Sequence, residues 1–478
     1  MSVRNHNLGA LWCACLFYLV TASSYADVPK NDMSNEKTQP SKPAPTPSPR
    51  VTVPQVVLPL PGSLDSIPLF NSNSPEIVLQ PGVLLSTFPG DGKAHPEAHL
   101  NYPLQGRFDV FFHHVTNAGK IGPRTLYLGL LIGNLSEKKV HVELLNAVSY
   151  STKPDSPFIT LDPILDNKHG KHHAGPGDRV TLDQLRNKKQ HGWHRRIGLD
   201  PGESKVVYQL PLRNGRTGAL KIETDGPVYL ASLAASAKEK SFGREQEPEL
   251  ADWQEVLKLP LAQPRDKTPS VPGASGVLIY GRVAGVSSGS SWQGYLTNDP
   301  DKSRLSVKPG ESISFPISSI TGGTHGTKQV QAAPMLVRYP DTAYLAHGNY
   351  GLLYDLTLPL FNDTDQESTT GICIQTPLKD WNKSDSLQFF ETPPDRIFFR
   401  GTVKFDWIDG RGKHHKKLIH LVQKQGQRSA PLIEIPLKPK EQVNLQCSLI
   451  YPADCTPPQV LTVTVNTAGS AGILPASN

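Results

Sequence analysis

The densest group of residues able to do chemistry lies between positions 168 and 196. This segment holds eight Lys or Arg residues and five His residues, against two acidic residues, Asp178 and Asp183. Positive charge beside an aromatic ring suits an anionic polysaccharide, whereas a run of charge is more often a solvated surface loop. Both interpretations stay open from the sequence. The candidate binding residues are Lys188, Lys189, Trp193, Arg195, Arg196, His169, His172 and His173.

Histidine is frequent elsewhere in the chain, which raises the question of a metal site. Zinc needs three or four ligands that converge on one point, and the neighbours of these histidines are mostly cationic. The His-Glu-x-x-His pattern does not occur. We therefore expect solvated loop histidines, no metal site and no cofactor. The histidines outside the basic segment that raise this question are His95, His99, His113, His114, His414 and His415.

A serine-hydrolase motif is matched by spacing alone. Residues 285–289 (GVSSG) have the Gly-x-Ser-x-Gly pattern, which works where a strand turns sharply into a helix. Residues 290–296 predict a loop and then a strand, so we expect no nucleophile at Ser287. The acidic residues at 362–367 and around Asp406 and Asp409 are typical of turns between strands. One sequence does not establish a pair of carboxylates facing across a cleft.

Three cysteines follow the N-terminal segment: Cys373, Cys447 and Cys455. Cys447 and Cys455 flank a short stretch that contains Pro452, so a local disulfide is one alternative and two free thiols the other. We expect Cys373 to be a single buried strand residue.

The first 26 residues have the order of a secretory signal peptide. Arg4 precedes an apolar run over residues 8–20, and a small-x-Ala pattern ends at Ala26, which predicts cleavage before Asp27. The run is shorter than the roughly 20 residues of a membrane-spanning helix. An uncleaved anchor is the alternative. Cleavage predicts an exported protein of the periplasm or extracellular space, including association with the outer membrane.

The rest of the chain predicts an all-β fold. Short apolar runs, several alternating with period two, are punctuated by 44 Pro and 39 Gly. Residues 182–185 are the best short helical candidate. Two matched runs end at Asn134 and Asn362, each followed later by a Pro-x-Glu turn. We expect two related immunoglobulin-like β-sandwiches.

The expected organisation follows these composition changes. It is a signal peptide (1–26), a disordered Pro-rich linker (27–54), an N-terminal sandwich (55–270), a Gly/Ser-rich connecting β segment (271–330), a C-terminal sandwich (331–467) and a flexible tail (468–478). The net charge of +6 permits contact with anionic envelope polymers but does not indicate nucleic acid. No transmembrane span is expected after cleavage.

Six segments of the chain carry a resemblance to a known family. They are residues 101–109 (NYPLQGRFD), 225–232 (DGPVYLAS), 281–286 (GRVAGV), 346–351 (AHGNYG), 356–360 (LTLPL) and 456–463 (TPPQVLTV). With these segments, the chain resembles an uncharacterised family of exported proteins from cyanobacteria over about residues 54–465. The resemblance implies a domain of unknown function, no catalytic residues to transfer, and a bacterial envelope or extracellular location.

The sequence favours an exported, non-enzymatic binding or scaffolding protein of the cell envelope. Its expected partner is an anionic envelope polysaccharide or another envelope protein. The alternative is an envelope glycan or peptidoglycan hydrolase whose active site is assembled from loops. A deep pocket that gathers two carboxylates, or three histidines and a carboxylate, would favour the hydrolase.

Overall fold

The structure is a computed structural model that describes residues 48–117, 124–240, 243–380 and 382–467. The expected leader, its cleavage site between Ala26 and Asp27, most of the Pro-rich linker and the tail 468–478 lie outside the described residues. Within the described part, no helix is long and apolar enough to cross a bilayer.

Strands dominate the described residues, as the sequence predicts. The helices are α1 (Pro176–Leu185), α2 (Leu250–Val256) and a short 3-10 helix (Pro96–Ala98). The strands of the first half are β1 (Arg50–Pro54), β2 (Val56–Val57), β3 (Ser63–Leu64), β4 (Pro68–Ser72), β5 (Gly82–Ser86), β6 (Leu104–Val115), β7 (Leu126–Gly133), β8 (Val140–Ser151), β9 (Ile164–Asp166), β10 (Arg196–Leu199), β11 (Ser204–Pro211), β12 (Gly215–Ser236), β13 (Lys238–Glu239) and β14 (Glu245–Gln246). Those of the second half are β15 (Ala284–Ser288), β16 (Ser291–Tyr295), β17 (Ser312–Ile317), β18 (Ala333–Arg338), β19 (Leu345–Ala346), β20 (Leu353–Phe361), β21 (Ser368–Gln375), β22 (Ser386–Phe390), β23 (Ile397–Ile408), β24 (His414–Lys424), β25 (Ile433–Leu437), β26 (Gln442–Ile450) and β27 (Gln459–Thr467).

Three large open sheets carry the fold. Sheet I runs β10-β8-β12-β6-β4-β15-β18-β19, with β5 and β7 on the second half of β12 and β11 beyond β7. Sheet II runs β3-β16-β20-β26-β23-β24-β9, and sheet III runs β2-β17-β27-β21-β25. The long β12 pairs with β8 up to Thr224 and with β6 up to Val228. It then pairs with β7 from Tyr229 and with β5 from Ala231, so one strand joins two layers around the first core. Sheets II and III enclose the second core.

The chain crosses between these sheets several times. Two strands from the first half belong to sheet II: β3 pairs with β16, and β9 pairs with β24. Conversely, β15 of the second half pairs with β4 in sheet I. The predicted connecting segment contributes β15 to sheet I, β16 to sheet II and β17 to sheet III. The boundaries at residues 270 and 331 stay a prediction, and several strands pair across them.

Part of the predicted linker is a strand. Residues 50–54 form β1, which pairs in antiparallel register with β22. The alternation of Val51 and Val53 explains this departure, because Val53 packs against a small buried cluster that contains Leu387 and Phe389.

The prediction of a basic loop over residues 168–196 is wrong in part, because a helix interrupts the segment. Helix α1 begins with Pro176 after Gly175, whose φ of 91° favours glycine, and it is longer than the predicted residues 182–185. It packs against β8 and β12 on one side and against β23 and β26 on the other. The two acidic residues of the segment, Asp178 and Asp183, are buried in this helix. Helix α1 therefore contacts both sheet I and sheet II.

The turns at Asn134 and Asn362 are built in the same way. Each side-chain amide donates to three backbone carbonyls: those of Lys138, Leu199 and Asp200 for Asn134, and those of Gln366, Leu437 and Lys438 for Asn362. Each Oδ1 accepts from the backbone and the hydroxyl two residues later. The later Glu203 and Glu441 accept equivalent backbone bonds from Asp200 and Lys438. The matched sequence turns thus have one common hydrogen-bond pattern.

Candidate functional site

A cleft of about 1140 Å³ opens on the surface of sheet I. One wall is the segment 190–198, which leads from α1 into β10, and the floor is strand β11. The opposite wall is the stretch 246–250 that enters α2. We call this feature the Trp193 cleft. Its size suits several sugar units or a short peptide.

Aromatic rings form the centre of the cleft. The half-buried Trp193 meets Tyr208 edge-on, with ring centroids 5.6 Å apart and an interplanar angle of 67°. Tyr208 in turn stacks on Phe112 of the core, with centroids 4.9 Å apart. Burial raises the pKa of Tyr208 further above its ordinary value, so this ring adds no charge to the cleft. The rings present a rigid, partly exposed apolar surface between polar walls.

The loop that carries Trp193 is held by Gln190. The Gln190 amide donates to the carbonyl of Ser149 at 3.1 Å and accepts from its backbone amide at 2.8 Å, so it pairs with β8 as a backbone group would. The indole Nε1 of Trp193 donates to Gln190 Oε1 at 3.3 Å. This support orients the Trp193 ring before any ligand arrives.

A cation lies at the base of the cleft. Arg216 is only 7% exposed, and its guanidinium donates to Pro211 O at 2.9 Å and Ser149 Oγ at 3.2 Å. Its nearest carboxylate oxygen, on Asp155, is 4.0 Å away. Burial lowers the pKa of Arg216, but a guanidinium stays charged in proteins. This positive charge is incompletely compensated.

The rim is mixed in charge. Lys205 lies 3.1 Å from Glu203, and the strongly exposed Arg196 lies 3.8 Å from Glu143. From the floor, Gln209 donates to Glu247 of the opposite wall at 3.0 Å and accepts from the indole of the buried Trp253. The cationic lining residues are thus spread over the base, the floor and one wall, while Glu247 and Glu249 lie on the opposite wall.

The structure brings only part of the predicted binding set to this cleft. Trp193 and Arg196 line it, together with His191 and His194. The exposed Lys188 pairs with Asp183 at 3.3 Å, and Arg195 is 3.6 Å from Glu143. The other predicted residues that do not line the cleft are Lys189, His169, His172 and His173.

Of the predicted binding residues, His173 differs most from the exposed side chain that the sequence predicts. Its Nδ1 lies 2.9 Å from Ser156 Oγ. Burial, followed by the nearby charge of Arg179, lowers the pKa of His173. Sequence reasoning missed Gln190, Tyr208 and Arg216, whose placement depends on strand pairing; only Tyr208 carried a local signal, its position within a predicted strand.

The expectation of solvated loop histidines is wrong for three positions. His99, His113 and His114 are buried. His113 bonds to Thr217 Oγ1 at 2.8 Å, and His114 contacts Ser72 Oγ at 2.9 Å and Pro75 O at 2.8 Å. Burial lowers the pKa of His113 to about 3 and that of His114 to about 4. Among the described residues, no group of three His, Cys, Asp or Glu could hold a metal ion.

The three cysteines and the serine of the Gly-x-Ser-x-Gly motif are all buried in the fold. Cys373, Cys447 and Cys455 are free and buried, so the disulfide alternative for Cys447 and Cys455 is not formed. The Sγ of Cys455 instead contacts backbone atoms of Arg400 at 3.4 Å. Ser287 is fully buried in β15, and the chain proceeds into another strand, β16, without an intervening helix.

Fold and cleft together define an all-β protein with a polar, aromatic-centred surface cleft. The chain belongs to the family described as "Protein of unknown function (DUF3370)", whose model matches residues 55–465. This confirms the expected domain of unknown function. No curated protein matches the chain.

Two solved structures show only faint similarity. The crystal structure of Lac15 from a marine microbial metagenome has 10% identity and a TM-score of 0.11, and the match covers 78% of this chain and 55% of that one. The chain thus spans about half the length of Lac15. The structure of the Macrobrachium rosenbergii nodavirus has 8% identity and a TM-score of 0.13, with 93% and 97% of the two chains covered. Neither supports an argument about fold or function.

Proposed function

We propose that this protein is an exported, non-enzymatic binding protein of the cell envelope, and that the Trp193 cleft binds an anionic glycan. The observation that carries the proposal is the pre-oriented Trp193 ring beside the incompletely paired Arg216. Association with another envelope protein through the same face is the alternative partner. Periplasmic or extracellular location, including contact with the outer membrane, belongs to this proposal.

The aromatic centre supports recognition of sugars. Pyranose rings carry an apolar C–H face and a rim of hydroxyls, so they suit a site with one aromatic surface and flanking polar groups. Trp193 offers the surface, and its indole is fixed by Gln190 at 3.3 Å. Because little side-chain freedom is lost on binding, a pre-oriented ring favours affinity.

The charge distribution supports an acidic ligand. Arg216 at the base, Lys205 on the floor and Arg196 on the wall at residues 190–198 supply positive charge, and the carboxylate nearest to Arg216 is at the 4.0 Å limit of an ion pair. An acidic sugar that lies along this wall would gain favourable charge contacts. The acidic wall at Glu247 and Glu249 disfavours a ligand that is negatively charged on both sides.

The common turn pattern at Asn134 and Asn362 supports a duplicated architecture. We infer that the two halves are related immunoglobulin-like sandwiches, with β7 and β20 in equivalent positions. In each half the strand before the Asn pairs with the strand after the Pro-x-Glu turn, β11 in one case and β26 in the other. The Trp193 cleft is lined by residues of the first half, so its binding would be a property of one copy.

Titration calorimetry with purified anionic envelope polysaccharide tests the proposal. We expect binding that weakens as salt rises, because charges beyond about 8 Å are screened at physiological ionic strength. The double variant Arg196→Gln and Lys205→Gln should weaken binding at least about tenfold, or 1.4 kcal/mol. A matched control, Lys188→Gln with Lys189→Gln, removes two cations outside the cleft and should leave affinity unchanged.

Two results would overturn the proposal. One is an equal loss of affinity in the cleft variant and the control, which would show that binding depends only on the net charge of the protein. The other is shortening of the polysaccharide during incubation, which would identify the hydrolase alternative instead.

A further inference from the structure

A second, smaller cavity lies at the junction of sheets I and II. Its volume is about 130 Å³, and it shares no lining residue with the Trp193 cleft. Strands β4, β6 and β12 line one side, and β16, β20 and the end of β26 line the other. Helix α1 contributes Gln184. We call this feature the junction cavity.

The sheet I side of the junction cavity carries a cluster of charge. Arg107 and Asp109 are two residues apart on β6 and form an ion pair. Lys221 on β12 is directly opposite Asp109 in the strand register. The pairing of β12 with β8 shifts between Lys221 and Ile222, and such a bulge redirects a side chain. Three charged groups thus meet on one face of sheet I.

The sheet II side carries a carboxylate and two hydroxyls. Asp65 accepts from the backbone amide of Ser290 at 2.8 Å and from Ser291 Oγ at 2.8 Å. Ser290 Oγ lies 3.5 Å from Asp65 and also contacts the carboxylate of Asp109. Burial is the main influence on Asp109 and raises its pKa. Hydroxyl and carboxylate groups from both sides therefore approach one another.

Three lining side chains are uncommitted. Across the described residues, Lys221 makes no hydrogen bond or ion pair within 4 Å, and the side-chain amides of Gln184 and Gln293 make no hydrogen bond. Lys221 interacts with Asp109 only through its charge, so it can donate a new hydrogen bond, and the two amides can both donate and accept. Leu69, Leu353 and Ile450 add apolar surface between them.

We propose that the junction cavity binds a small uncharged polyol, of the size of glycerol. The lining has two acids, Asp65 and Asp109, and two bases, Arg107 and Lys221, so it does not favour a net charge. Its volume of about 130 Å³ is slightly below the roughly 150 Å³ that accommodates benzene, so it suits a ligand of about six non-hydrogen atoms, such as glycerol. Uncommitted donors and acceptors suit a ligand with several hydroxyls. This site is independent of glycan binding in the Trp193 cleft.

Ligand-observed NMR and calorimetry with glycerol, glucose, myo-inositol and glucuronate test this proposal on the folded protein. At least one neutral polyol should bind. Lys221→Met retains the aliphatic stem of the side chain and should weaken that binding at least about tenfold. Gln184→Met is a second variant, on the rim of the cavity, and should weaken it several-fold. Trp193→Ala is the matched control and should leave polyol binding unchanged.

The proposal fails if no neutral polyol binds at about 50 mM, a concentration at which even a millimolar site is occupied. It also fails if glucuronate alone binds, or if both cavity variants bind like the wild type. Thermal melting of each variant establishes that a loss of binding is not a loss of folding. A polyol site that survives Trp193→Ala leaves the proposed function of the larger cleft untouched, so the two proposals are tested separately.

Discussion

Single buried side chains decide how this protein responds to pH. His113 and His114 are surrounded by β4, β6 and β12, and the cost of burying a charge keeps both imidazoles neutral. A group whose pKa is lowered on folding contributes stability that is complete above its unfolded pKa. That contribution declines as pH falls toward the folded value.

Acid should therefore destabilise the protein through His114. Between about pH 6.5 and 4, the free energy of unfolding should fall, by at most about 3 kcal/mol for this residue. The variant His114→Gln should be less stable at pH 7, since two hydrogen bonds are altered, but its stability should vary less with pH in this interval. Urea unfolding at several pH values measures both. Parallel curves for variant and wild type would contradict the assignment.

Asn134 and Asn362 each satisfy three backbone carbonyls, and both are buried. Asn134→Ala and Asn362→Ala should each lower the free energy of unfolding by about 2–4 kcal/mol, because buried carbonyls lose their donors. Asn382 begins an Asn-x-Ser/Thr pattern like the other two but is exposed, so Asn382→Ala should change stability by less than about 0.5 kcal/mol. Similar losses at all three positions would contradict the structural role of the turns.

At the scale of elements, α1 links the two largest sheets. His420 of β24 and Asp178 of α1 approach to 2.8 Å with both side chains fully buried. Asp454, which follows β26, faces the first turn of the helix, with Arg400 nearby. Burial raises the pKa of Asp454 to about 6, and the neighbouring Asp178 adds to that effect, while Arg400 opposes it.

The contact between α1 and sheet II should therefore weaken as pH rises, because the Asp454 carboxyl then ionises while buried. A carboxyl whose pKa is raised on folding contributes most below its unfolded pKa near 3.8, and the contribution is lost by about pH 6. Asp454→Asn should be more stable than the wild type at pH 8, by about 1–3 kcal/mol, with the difference shrinking toward pH 4. Thermal unfolding at both pH values measures this. A variant that is less stable at pH 8 would show that the ionised carboxylate is favourable there.

Elements also show where sequence reasoning succeeded and failed. The strands and the Asn turns were predictable, since alternation and turn chemistry are local. Helix α1 was predicted only over residues 182–185, because its buried face includes Thr181 and the acids Asp178 and Asp183 in place of an apolar stripe. The partner of Asp178 is His420, 242 residues away, and no local pattern reveals such a pair.

For the whole molecule, the Trp193 cleft was predictable only in part. Trp193 and Arg196 stood out because an aromatic residue lies within a basic segment. Tyr208 and Arg216 did not, since their positions depend on the pairing of β11 with β7 and of β12 with β8. The junction cavity was not predictable from composition, because its two sides come from strands far apart in the chain.

The affinity of the protein for an anionic envelope polysaccharide, compared between wild type and Trp193→Ala, tests the central claim most directly. We predict a dissociation constant at least about tenfold larger for the variant. Because Trp193 also packs against Tyr208, thermal unfolding of the variant establishes that it is still folded at the temperature of the binding measurement. His169→Ala, an exposed residue outside the cleft, should bind like the wild type. Equal affinity of Trp193→Ala and the wild type would contradict binding in this cleft.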